Sequence, residues 1–89
     1  MCGAKPVFAD ILPDTYNIDP KSIEEKITDR TKAVIGVHIF GQCCNAPAVA
    51  EICKKHNLTF IEDSAQAHGA SWNGVKAGAL GDMATFSFY

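Results

Sequence analysis

The sequence predicts an α/β fold, a mostly parallel sheet sandwiched between helices in a partial three-layer α/β/α arrangement. Three observations predict it. Apolar extended runs alternate with amphipathic helical segments in the order β-α-β-α-β-hairpin-β, and such alternation yields a parallel sheet joined by right-handed crossovers. The run from Lys32 to Phe40 is apolar without polar alternation, the mark of a strand covered on both faces. A second run, Leu58 to Ile61, stops abruptly at Glu62 and Asp63. In an open α/β sheet that stop is the C-terminal lip of a buried strand, where ligands bind.

Each element has its own warrant. Lys5 to Ile11 reads as a short strand with Pro6 at its start, where no ladder donor is lost. Leu12-Pro13-Asp14-Thr15-Tyr16-Asn17 is turn chemistry. Asp19 is a good N-cap and Pro20 fits the first helical position. Ile23 and Ile27 share one face of the short helix that follows, ending near Thr28. The strand over 32–40 is closed by Gly41-Gln42. A second helix starts at Asn45-Ala46-Pro47, and Val49, Ile52, Cys53 and His56 form one helical stripe. Glu51 and Lys55 are an i,i+4 pair in the favourable order, and Asn57 suits a left-handed C-cap. The strand Leu58 to Glu62 then carries Asp63. Asn73-Gly74 marks a hairpin, Gly81-Asp82 a further turn, and Met83 to Tyr89 a last strand.

Size and charge exclude several function classes. At 89 residues the chain is at most one small domain, and a chain this short buries a modest fraction of its surface. A net charge of −2 gives no electrostatic case for nucleic acid or an anionic membrane. The longest apolar stretch, Ala33 to Gly41, is far short of the roughly 18–20 residues of a membrane span. The start, Met1-Cys2-Gly3-Ala4-Lys5-Pro6, lacks the apolar core of a signal peptide, so a cytoplasmic protein is expected. Cys2, Cys43, Cys44 and Cys53 form no C-x-x-C pair, which argues against a zinc ribbon and for reduced thiols. His38, Asp63 and His68 lack metal-ligand spacing, so no metal site is expected.

Three strand ends can converge on one edge of a parallel sheet: His38 to Gln42, Asp63 with Gln66 and His68, and Ser87. A carboxylate, an amide and a hydroxyl there can grip a polar ligand, and periodicity alone does not say which. Taken singly, Asp63 also reads as a strand-terminating acid, Gln66 as a loop hydrogen-bonder and Ser87 as an ordinary strand serine. His38 and His68 receive no chemical step.

Gly3 to Phe8, Thr15 to Pro20, Thr31 to Ile35, Val37-His38-Ile39-Phe40-Gly41-Gln42, Ile61-Glu62-Asp63-Ser64-Ala65-Gln66-Ala67-His68-Gly69-Ala70 and Gly81-Asp82 through Phe86-Ser87-Phe88-Tyr89 resemble, in order and spacing, the central part of the DegT/DnrJ/StrS sugar aminotransferases. These are fold-type I enzymes using pyridoxal 5′-phosphate. The resemblance implies that residues 1–89 are a piece of the cofactor-binding large domain, with no second domain. It implies that Asp63 pairs with the cofactor's pyridine nitrogen, that Gln66 stands near the ring's 3-oxygen and that Ser87 contacts the phosphate. A carboxylate beside the ring nitrogen favours its protonated form, which makes the ring a better electron sink. The implied substrates are a nucleotide-linked keto-sugar and an amino-acid donor such as glutamate, and the implied assembly is a homodimer.

The family's Schiff-base lysine follows the serine by a few residues, and the given sequence ends at Tyr89, two residues after Ser87. Lys5, Lys21, Lys26, Lys32, Lys54, Lys55 and Lys76 do not sit in that motif. The expectation is therefore an internal fragment with no catalytic residue of its own, inactive alone. The competing readings are a fragment of another fold-type I enzyme of the desulfurase kind, and a non-catalytic α/β module.

Overall fold

Asp19 and Pro20 start the first helix, α1 (Pro20–Lys26), with the Asp19 side chain accepting from Lys21 N. Ser22 and Ile23 are its buried residues. The computed structural model describes residues 2–88. The expected strand over Lys5 to Ile11 does not form. Only one antiparallel bridge, Ile11 to Ile18, occurs there, and Val7 and Phe8 are exposed. The reason lies in the backbone donors. Asp10 N is spent on Ser22 Oγ at 2.7 Å and Leu12 N on Asn17 O at 2.8 Å, so the segment closes on itself and on α1.

Strand β1 (Ala33–Val37) is followed by a single 3₁₀ turn over Ile39–Gly41. The sequence predicts a strand as far as Phe40. The structure ends it at Val37 because Phe40 turns left-handed, φ 56°, ψ 24°. Helix α2 (Ala46–Lys55) is capped by Asn45, whose side chain accepts from Ala48 N, and buries Ala46, Val49, Ile52 and Cys53. His56, placed by periodicity on the same stripe, is the exposed C-cap. Asn57 takes the left-handed conformation, φ 55°, that its type favours.

Strand β2 (Thr59–Asp63) follows, then a two-stranded ribbon of β3 (Ser71–Trp72) and β4 (Val75–Lys76). Asn73 and Gly74, both at positive φ, make the hairpin turn that their dipeptide predicts. The last strand, β5 (Met83–Thr85), is shorter than the expected 83–89. Phe86 to Phe88 leave the sheet, and Tyr89 lies outside the described residues.

The main sheet is parallel, in the order β1-β2-β5. Its register aligns Val37 with Asp63, and Asp63 with Thr85. That row is the carboxyl edge. Because strand side chains alternate faces, Val34 and Phe60 point to one side. There they pack with Ile23, Cys44, Ala46, Val49, Ile52 and Cys53 into the core. Ile35, Val37 and Met83 point to the other side and are 58 %, 41 % and 56 % exposed. The α/β class with a parallel sheet holds. Residues 2–88 furnish the sheet and one helical layer, and the second sheet face is bare among the described residues. The four cysteines are free thiols.

The two faces separate in mutation. Phe60 is 1 % exposed, so Phe60→Ala is expected to cost about 3–5 kcal/mol. Ile35→Ala on the bare face is expected to stay within about 1 kcal/mol. Urea unfolding of the two variants checks the contrast.

Candidate functional site

Glu62 and Asp63 are neighbours on β2, so they face opposite sides of the sheet. Glu62 points inward and is 0 % exposed. Bare burial of a carboxylate is costly. Here it is offset by four donors. Oε1 accepts from Gly78 N at 2.8 Å and from His38 Nε2 at 2.8 Å. Oε2 accepts from Leu80 N at 2.9 Å and Gly81 N at 2.7 Å. Burial pushes the Glu62 carboxyl up, but these hydrogen bonds outweigh it and hold it below the ordinary glutamate value.

His38 is equally buried. Its Nδ1 accepts from Cys44 N at 3.1 Å, which leaves the ring hydrogen on Nε2, facing Glu62. The imidazole thus bridges the end of β1 to the start of α2 and serves structure. Two glycines make the cage possible. A Cβ on Gly81 would lie 2.8 Å from Phe60 O, and one on Gly78, at φ +99°, 2.6 Å from the Phe86 ring.

Asp63 points to the bare face of the sheet, half-buried at its carboxyl edge. Oδ1 accepts from Ala65 N at 3.1 Å. No cation pairs with it among the described residues, where the pairs are His38–Glu62 and Lys55–Glu24. Gln66, exposed, accepts from Phe40 N through Oε1 at 3.2 Å. That bond leaves its NH2 end as the group available to a ligand. Ser87 is half-buried two residues beyond β5. The Phe86 and Phe88 rings on either side of it in sequence both meet the His68 ring, at centroid distances of 5.2 and 4.9 Å. Asp63 therefore lies on the edge marked by Val37, Asp63 and Thr85, and Gln66 and Ser87 lie just beyond the ends of β2 and β5.

Asn17 escaped the sequence reading. It is 3 % exposed and clasps the turn after β1. Its Oδ1 accepts from Ile39 N at 3.2 Å, and its Nδ2 donates to Gln42 O and Cys43 O at 3.1 and 3.2 Å. No residue pattern announces such a clasp. Glu62 did carry a signal: it shares a strand face with Phe60, and the side-chain period of two places it in the core.

Burial disfavours ionisation of both vicinal thiols. Burial pushes Cys44 up to about 12, and burial, then the Glu62 charge, raises Cys43. Among the described residues no cluster of His, Cys, Asp or Glu could hold a metal ion. Among the described residues no helix is long and apolar enough to cross a membrane.

Comparison with known proteins gives the arrangement a context. The profile of the DegT/DnrJ/EryC1/StrS aminotransferase family matches residues 1–89. The chain is 54% identical, over 98% of its length, to the pleiotropic regulatory protein of Geobacillus stearothermophilus. It is 58% identical, over 97% of its length, to the dTDP-3-amino-3,6-dideoxy-alpha-D-galactopyranose transaminase of Aneurinibacillus thermoaerophilus. It covers 23% and 24% of those two proteins, so it spans about a quarter of the length of the curated relatives it matches. Among solved structures, DesI in the presence of its TDP-sugar product superposes with a TM-score of 0.94 at 45% identity, over 98% of this chain and 22% of that one.

Two outcomes follow from the Glu62 cage. Its stabilisation is fully present above the ordinary glutamate value of 4.5 and is lost as the pH falls through the lowered folded value. Urea midpoints should therefore fall on acidification, and Glu62→Gln should be less stable at neutral pH and lack this acid-dependent loss. Gly81→Ala forces a backbone shift and is expected to cost about 1–3 kcal/mol in the same measurement.

Proposed function

Because the chain belongs to the DegT/DnrJ/EryC1/StrS aminotransferase family, we propose that residues 1–89 form part of the cofactor-binding domain of a pyridoxal-phosphate-dependent sugar aminotransferase. The reaction would move an amino group from an amino acid, glutamate in the first instance, to a nucleotide-linked keto-sugar. The names of the relatives support the sugar-nucleotide class: one is a transaminase of a dTDP-amino sugar and one is solved with a TDP-sugar product. A homodimer working in the cytoplasm is part of the same proposal.

The observation that carries this reading is Asp63. It is a half-buried carboxylate on the carboxyl edge of a parallel sheet, with one backbone hydrogen bond and no cationic partner among the described residues. A carboxylate so placed can receive a positive group from outside, and a protonated ring nitrogen fits it. Gln66 fits as well. Phe40 N donates to its carbonyl oxygen, which orients the side chain so that its NH2 group can donate to an oxygen of the ring. Ser87 stands two residues past β5, and a serine hydroxyl is a group type suited to a phosphate.

Pyridoxal 5′-phosphate, when bound, supplies an electron sink for the carbon that loses its proton. The residues of this chain set the conditions for it. Asp63 would hold a proton on the ring nitrogen through charge pairing. Gln66 would donate a hydrogen bond to the ring's oxygen, and Ser87 would orient the phosphate.

The test is a titration of the chain with pyridoxal phosphate, followed by cofactor fluorescence. Asp63→Asn keeps the shape and removes the charge. It is expected to weaken binding tenfold or more, about 1.4 kcal/mol or above. Equal affinity of the variant and the parent would overturn the assignment of Asp63.

A further inference from the structure

We propose that Glu62 is a positioning residue: it acts through His38 and the turn after β1 to hold the Gln66 amide in its donating orientation. This rests on the cofactor reading above and adds to it a residue that touches no ligand.

The bonds form one connected path. The Glu62 carboxylate collects Gly78, Leu80 and Gly81 from the loop before β5. Its remaining contact is His38 Nε2. His38 Nδ1 in turn takes Cys44 N, closing the turn from residue 38 to residue 44. Within that turn Phe40 N donates to Gln66 Oε1. Glu62 therefore ties the carboxyl end of β1, through His38, and the loop that leads into β5 to its own strand, β2, next to its neighbour Asp63.

The turn needs holding. Phe40 is a bulky residue at φ 56°, ψ 24°, a left-handed conformation that is unfavourable for an L residue, and its ring is 75 % exposed. Burial of the ring therefore does not offset the strain. The backbone is kept there by its hydrogen bonds: Asn17 on the outer side and His38 on the inner side. The inner hold depends on an acceptor-only group at Glu62. All four donors aim at its two oxygens, so an amide at this position would turn an N–H toward donors already in place.

The experiment is amide hydrogen exchange on the full chain, with each rate read relative to Val49 N, which bonds Asn45 O inside α2. That reference removes global unfolding from the comparison. In Glu62→Gln, the amides of Gly78, Leu80, Gly81, Cys44 and Phe40 are expected to exchange at least tenfold faster relative to Val49. His38→Leu keeps bulk and removes both ring bonds; it should free Cys44 and Phe40 while Gly81 stays slow. His38→Gln, which has one donor and one acceptor at its end, should restore slow exchange at Cys44 and Phe40. If His38→Leu leaves Phe40 and Cys44 as slow as in the parent chain, Asn17 holds the turn alone and the proposal is overturned.

A second readout links the path to the site. In the pyridoxal phosphate titration, Glu62→Gln should weaken binding by about as much as Gln66→Ala, and the double variant no further, since the two act in series. Additive losses overturn the positioning role while leaving Asp63→Asn to judge the cofactor reading. Loss of any effect of Asp63→Asn overturns that reading by itself, whatever the exchange rates show.

Discussion

A carboxylate enclosed by donors is the constraint around which this fold is arranged. Glu62 sits at zero exposure and is balanced by three backbone N–H groups and one imidazole. A buried charge tolerates few alternatives: if one donor is removed, the desolvation cost is no longer fully offset. The loop that supplies the amides must therefore approach closely, and at residue 81 only a glycine leaves room beside the Phe60 carbonyl. The histidine must present its hydrogen on the far nitrogen, which the Cys44 amide enforces. Core packing and sheet-edge geometry thus share one anchor.

The edge inherits its character from that anchor. Strand alternation sends Glu62 inward and Asp63 outward, so one residue is satisfied by the protein and the other, among the described residues, has a single backbone donor on its side chain. Two adjacent acids of similar chemistry acquire opposite roles from the side of the sheet they face. The glutamine follows the same logic. Its carbonyl is committed to a strained turn, and its amide hydrogens are what it has left to offer.

Much of this was legible beforehand, and the failures have physical causes. The β-α-β order, the Asp19 cap, the start of the second helix at Asn45, the Asn-Gly hairpin and the left-handed Asn57 follow from local chemistry, and the structure shows each of them. The strand over residues 5–11 was not legible, because whether an extended segment joins a ladder depends on a neighbour and not on its own residues. The end of β1 was hidden for another reason: Ile39 and Phe40 carry strand propensity, and a left-handed phenylalanine leaves no trace in composition. Asp63, Gln66 and Ser87 were singled out by position and resemblance; Asp63 is the last residue of β2, Gln66 lies three residues past it and Ser87 two residues past β5. Asn17, which braces that edge, was invisible because its partners lie far along the chain. The unalternated run through β1 signals a sheet lined with apolar groups on both sides. Residues 2–88 cover one side, and Ile35, Val37 and Met83 leave the other uncovered.

The distribution of thiols has a practical corollary. Cys2 is exposed, whereas Cys43, Cys44 and Cys53 lie in the interior with their ionisation suppressed by burial. An alkylating reagent at neutral pH would label the intact fold at a single position near the amino end. Each further label would report that a particular packed layer had opened, so the chain carries its own mass-readable gauge of breathing without an engineered probe.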